Sequence, residues 1–253
     1  MSWLDDFVFR PTRLGIIVIV IILAVVAFTT WRNARIDALA RSAVGSKPDV
    51  NAVKRLASYS GQRAGDRLFV IASAAPTQEN RLAALQALVA RKDAVHVSAL
   101  SELLLPTESL AMRQAIANAV YQTGCSPECV KNVLYYEERI WRGDRPSEIT
   151  DANPAPGLSE QEKELQTALD ETLRKNKPAL GAVLEKIYGL AGPFPSPFSI
   201  ETVTRLGITE SCPVLMRTYL TVKDNVKASP EYKNVADAVD KLGCKTQPIR
   251  SQP

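Results

Sequence analysis

"DVNAVKRLASYSG" (49–61), "RLAALQALVARKD" (81–93) and "RQAIANAVYQTGC" (113–125) begin 32 residues apart, twice in succession. Set beneath one another, they align Val53 with Leu85 and Ala117, and Leu56 with Leu88 and Val120. Apolar positions three apart on a short segment form the core stripe of a helix. A fixed period of this length marks an array whose units bury their apolar faces only against their neighbours. Each segment is followed by a turn and a second apolar-periodic run: "DRLFVIASAA" (66–75), "AVHVSALSELLL" (94–105) and "CVKNVLYYEERIW" (129–141). The pattern predicts an all-α chain with stacked helical hairpins over residues 48–141.

The period breaks at "RGDRPSEITDANPAPGLS" (142–159), whose Pro, Asp, Asn and Ser cannot continue a helix and predict a connector over 142–158. Ser159 and Glu162 then form an S-x-x-E capping box that opens a helix with its stripe at Leu165, Ala168, Leu169 and Leu173. Pro178 opens its partner, with Leu180, Val183, Leu184 and Ile187 on one face. After "GPFPSPFS", "IETVTRLG", "SCPVLMRTYLTV" and "PEYKNVADAVDKLG" are three further short helices, with Gly207 and Gly243 suited to left-handed C-caps. A second helical array is expected over 159–244, followed by a tail at 245–253.

These segments resemble the HEAT-repeat family. The residues that carry the resemblance are "ENRLAALQALVARKDAVHVSALSELLLPTESLAMRQAIANAVYQTG" (79–124), with "ETVTRLGITESCPVLMRTYL" (201–220) and "NVADAVDKLG" (234–243). They follow the family's Ala-rich first helix, Leu-Gly close, short turn and second helix around Pro-x-Leu. The resemblance covers most of 48–141 and 198–244. Residues 159–191 fit it less well, and a tetratricopeptide-type array is the alternative, because both are stacked helix hairpins. The resemblance implies a curved solenoid serving as a binding surface; it does not imply catalysis.

Ahead of the repeats, "LGIIVIVIILAVVAFTTW" (Leu14 to Trp31) carries no charge over 18 residues. That is near the minimum length that spans a hydrocarbon core, and Trp3 and Trp31 flank it where amphipathic rings favour the headgroup level. The expected division is an N-terminal tail and membrane anchor over 1–31 and a juxtamembrane segment over 32–47. The competing assignment is a cleaved signal peptide with Val25-Val26-Ala27 as its cleavage site, giving a secreted soluble domain. Against it, the apolar run outlasts an ordinary signal core, Asp5 and Asp6 sit in the N-terminal region, and no small-x-small site follows. Arg10, Arg13 and the α-amine on one side nearly balance Arg32, Arg35, Arg41 and Lys47 on the other, with a slight lean against export, so basic residues do not set the orientation.

Cysteine placement does. Cys125, Cys129, Cys212 and Cys244 are an even set confined to the far side of the anchor, as an oxidising compartment favours. The expected location is the cell membrane, single-pass, with the bulk extracytoplasmic, and periplasmic if the cell is Gram-negative. "AIANAVYQTGCSPEC" (115–129) and "NVADAVDKLGC" (234–244) close on the same phrase, so the cysteines occupy equivalent corners of repeats. Cys125 and Cys129 face one another across a turn; Cys212 and Cys244 lie one repeat apart. Zinc needs about four ligands at close spacing and His96 is the single histidine. A redox pair is usually C-x-x-C in a strand context. The register favours two structural disulfides, Cys125–Cys129 and Cys212–Cys244.

Charge narrows the function. Thirty-one basic against 27 acidic residues give +4, and the charges are interspersed, which disfavours a nucleic-acid partner. No nucleophile elbow, metalloprotease motif, Gly-rich phosphate loop or paired-carboxylate motif occurs, so neither enzyme activity nor a cofactor or metal is expected. In "CVKNVLYYEERIW", positions 130, 133, 134, 137 and 141 form one stripe, expected to face the core. The opposite stripe, Asn132, Tyr135, Tyr136, Arg139 and Arg142, has the composition of a protein-binding hot spot. The sequence therefore points to a membrane-tethered interaction module or accessory subunit that docks another membrane or envelope protein. The alternative is a ligand-binding or enzymatic groove between the two arrays.

Overall fold

A computed structural model describes residues 13–45, 48–105, 109–141, 160–188, 195–222 and 230–244. The expected N-terminal tail, connector 142–158 and tail 245–253 lie outside the described residues. Among those described there are twelve α-helices and no strand: α1 (Arg13–Val44), α2 (Val50–Ala57), α3 (Gln62–Ala74), α4 (Gln78–Ala90), α5 (Ala94–Leu100), α6 (Leu110–Thr123), α7 (Pro127–Trp141), α8 (Glu160–Lys175), α9 (Lys177–Tyr188), α10 (Pro197–Leu206), α11 (Cys212–Val222) and α12 (Pro230–Leu242). A 3₁₀ turn, Ser101–Leu104, extends α5, and another, Thr209–Ser211, leads into α11.

Local chemistry sets the helix ends. Asp49, Thr77, Asp93, Ser109 and Ser196 are N-caps whose side chains accept from backbone N–H groups of the first turn. Gly207 closes α10 in the left-handed conformation at φ 65°. Even-numbered helices stack on one another in one layer and odd-numbered helices in the other. Val53, Leu85 and Ala117, with Leu56, Leu88 and Val120, are at most 2% exposed, so the aligned positions do form the core between the layers. One continuous apolar core runs from Ile36 to Val239.

Side chains reach across the same period. Arg91 donates to the Tyr59 carbonyl and Arg217 pairs with Glu185, each over 32 residues. Asn132 Nδ2 donates to Ser101 Oγ at 3.1 Å over 31. A hairpin that leaves backbone and carboxylate groups at its corner is completed by the next one, as expected of a solenoid held by neighbour interfaces.

The array starts earlier than the sequence pattern indicates. Helix α1 is 32 residues long, about 48 Å at 1.5 Å per residue. From Ile16 to Trp31 its side chains are exposed and its apolar window is not covered by the rest of the chain. Beyond Trp31 the helix continues unbroken and buries Ile36, Ala40 and Ala43 against α2 and α3. Residues 32–44, expected as a juxtamembrane segment, are therefore the first helix of the array. Ala40 and Ala43 leave room for close packing, and Asn80 Nδ2 donates to the Ala43 carbonyl at 2.7 Å. Asp37 accepts from Arg63 and from Arg67 Nε (2.9 Å), which together hold its carboxyl below the ordinary range despite partial desolvation.

Candidate interaction surface and buried polar joint

Helix α7 carries the residues expected to dock a partner, and its neighbours divide them. Tyr135 is 54% exposed, whereas Tyr136 is 3% exposed. The expected exposed stripe is thus corrected at Tyr136. Helices α8, α9 and α10 pack on α7 in addition to the turn after α5, so its covered face is wider than one apolar stripe. Tyr136 lies beneath the buried Arg113 of α6, whose guanidinium carbon is 5.8 Å from the ring centroid, and Arg113 Nη1 donates weakly to the phenol oxygen at 3.5 Å. Burial raises the Tyr136 pKa, with Arg113 opposing. Asn132 is half-buried on Ser101, and Arg139 is half-buried and engaged. Arg142 lies outside the described residues. Of the five, Tyr135 is the one shown to present most of its side chain to solvent.

The other face of α7 holds a residue whose role the sequence did not disclose. Val130, Val133 and Leu134 are buried as expected, and so is Glu137, at 4% exposure. Neither Glu137 carboxylate oxygen has a donor among the described residues. Its polar neighbour is the carboxylate of Asp170 on α8, which Arg205 of α10 grips with both guanidinium nitrogens (Nη2–Oδ1 2.8 Å). Desolvation lifts the Glu137 pKa well above the usual carboxylate range, Asp170 lifts it further, and Arg205 opposes. Burial and the neighbouring carboxylate thus both favour the neutral form of Glu137. Helices α7, α8 and α10 meet at this joint. The signal was present in the stripe, where position 137 is the one ionisable member.

Both cysteine pairs are joined. Cys125 Sγ lies 2.09 Å from Cys129 Sγ across the α6–α7 turn, and Cys212 Sγ lies 2.00 Å from Cys244 Sγ over 32 residues. The second tie fixes the end of α12 to the start of α11.

His96 is clamped rather than isolated. Its Nε2 is 3.1 Å from Asp66 Oδ1 and its Nδ1 is 2.9 Å from Asp93 Oδ2, while Phe69 packs on the ring at 5.6 Å between centroids. The two carboxylates approach opposite ring nitrogens, so the three groups do not converge on a point as metal ligands do; among the described residues no trio of such ligands does. Gly65 makes the clamp possible, since a Cβ there would lie 2.7 Å from Asp93 Oδ2.

Two cavities accompany the second array. One, of about 10 Å³, lies among Leu184, Tyr188, Ile200 and Val214 and has room for little more than a water. The other is an open groove of about 380 Å³ between α10 and α12, edged by Glu201, Arg205, Asp237 and Lys241. Its charges alternate in sign, and Arg205 is already committed to Asp170.

The all-helical repeat architecture thus stands on its own geometry. In comparisons with known proteins, no family model, no curated protein and no solved structure matches the chain.

Proposed function

We propose that the chain is a single-pass membrane protein whose HEAT-like helical array, outside the cytoplasmic membrane, docks another membrane or envelope protein as an interaction module or accessory subunit. The carrying observation is the continuity of α1. A helix whose outer half is apolar and uncovered, and whose inner half is core, transmits position and orientation from bilayer to array without a flexible link. The same continuity favours an uncleaved anchor, because cleavage near Ala27 would cut within a regular helix. The two disulfides favour an oxidising, extracytoplasmic compartment.

The experiment is site-specific photocrosslinking from position 135 in living cells, with position 136 as the buried control. The expected result is one discrete adduct with a membrane or envelope protein from 135 and none from 136. No adduct from 135, in a chain that is folded and membrane-bound, refutes docking through this face. The second reading, ligand binding, is favoured by the α10–α12 groove alone. Saturable ligand binding lost on Lys241→Ala would establish it.

A further inference from the structure

We propose that the corner of the array nearest the anchor is a lipid-headgroup contact, in which Arg32, Arg35, Arg63 and Lys92 bind anionic phospholipid on the array's side of the membrane. The proposal rests on the membrane-anchor reading given above.

Depth along α1 fixes the location. The apolar stretch ends at Trp31, and Arg32, the next residue, donates through Nη2 to the Ser60 carbonyl and to Ser60 Oγ (3.1 Å). Ser60 stands in the turn between α2 and α3, so that turn lies level with the end of the hydrocarbon. Arg91 brings the α4–α5 turn to the same level, donating to the carbonyls of Tyr59 and Gly61 (2.9 Å for the latter). The opposite turns lie at the far end of the same helices, where Asn80 meets Ala43. Consecutive antiparallel helices thus place every second turn on the membrane side.

The charge at this corner is asymmetric. Asp37 is engaged by Arg63 and Arg67, and Asp66 and Asp93 face His96. Arg35 and Lys92 are exposed and have no ion-pair partner among the described residues, and the Arg63 side chain remains 46% exposed beside Asp37. Guanidinium and ammonium groups at headgroup depth match the phosphodiesters of an anionic bilayer.

Backbone conformation supplies an independent observation. Lys92 adopts φ 55° and is the one non-glycine residue with positive φ among those described. One repeat later the equivalent corner is Gly124, at φ 110°. A glycine at 92 would relieve the strain without removing an intramolecular contact of the ammonium. A partner outside the chain accounts for a cation there. It also accounts for Arg32 and Arg35 beyond the anchor, where the distribution of basic residues opposes export.

The test uses the full chain in nanodiscs of phosphatidylcholine alone or of phosphatidylcholine with phosphatidylglycerol, read by hydrogen exchange at residues 58–62 and 91–94. The expected result is several-fold slower exchange in the anionic nanodiscs, abolished by high salt and by Arg35→Gln with Lys92→Gln, with α12 unchanged. Lys92→Gly should lower the lipid-dependent protection while raising the melting temperature in detergent. Equal exchange in the two lipids, for a chain that co-fractionates with nanodiscs, overturns the headgroup contact. Failure to co-fractionate overturns the anchor reading instead.

Discussion

The Glu137 carboxyl of α7 is buried beside the Asp170 carboxylate of α8, and Asp170 is held in turn by Arg205 of α10, so three helices meet around one guanidinium. Desolvation and a neighbouring carboxylate both disfavour the charged form of Glu137. The joint therefore ties the packing of α7 on α8 and α10 to proton occupancy. Of the other charges on elements packed against α7, Glu201 of α10 acts on Arg205 and Glu162 of α8 on Tyr136, whereas Glu185 of α9 pairs with Arg217, Lys186 acts on Glu128, and His96 of α5 is clamped by Asp66 and Asp93.

Because the folded-state pKa of Glu137 is raised, the native state keeps a proton that the unfolded chain releases. The associated stability is fully present below the ordinary value of 4.5 and is lost as pH rises toward the folded-state value. Glu137→Gln keeps the shape and a donor for Asp170 while staying neutral at every pH. We expect the wild-type melting temperature to fall relative to this variant as pH rises above 4.5. Above the folded-state pKa the variant should be more stable by about 1–3 kcal/mol, the penalty of a buried unpaired polar group. Parallel pH profiles would refute the assignment of the proton to Glu137.

Tyr135 and Tyr136 differ by one residue and should differ in every readout. Tyr136→Ala removes a buried ring and uncovers Arg113, at a cost of about 3 kcal/mol in denaturant unfolding. Tyr135→Ala should change stability by less than about 0.5 kcal/mol, as exposed substitutions do, and should weaken partner capture. A destabilised Tyr135 variant would assign that side chain to packing.

Gly181 is required by contact rather than by conformation. A Cβ at 181 would lie 2.8 Å from the Glu210 carbonyl oxygen and 2.9 Å from the Glu210 Cβ. Backbone atoms cannot step aside as a flexible side chain can, so Gly181→Ala should separate α9 from the 3₁₀ turn before α11. The expected loss is about 1–3 kcal/mol, measured by urea unfolding.

Replacing Cys212 and Cys244 together by Ser removes the tie on the last hairpin. For a loop of 32 residues the chain-entropy model puts the cost at about 3.7 kcal/mol. In an array held by neighbour interfaces the loss should stay local, so amide exchange should accelerate in α11 and α12 and remain unchanged in α3 and α4. Uniform acceleration along the chain would mean that the array unfolds as one cooperative unit.

Much of the fold was legible because its determinants are close in sequence or recur at a fixed period. The stripe through Val53 and Leu56 and the Gly207 close each depend on neighbouring residues. The same register that aligned the first three repeats also paired Cys212 with Cys244. The start of the array was not legible, because its stripe in α1 relies on Ala40 and Ala43, whose small side chains give little apolar signal.

The sequence by itself determined an all-helical chain, a period of 32, an apolar N-terminal helix and the cysteine pairing, since helical periodicity and repeat register are properties of spacing. Only the tertiary structure decided which side of each helix is covered. Tyr136 and Tyr135 are adjacent in a uniformly helical run, and what separates them is the burial of the first beneath Arg113 of α6. Glu137 likewise meets Asp170 and Arg205 only when α8 and α10 pack on α7. Burial and charge proximity depend on distances between segments remote in sequence, which no local pattern encodes.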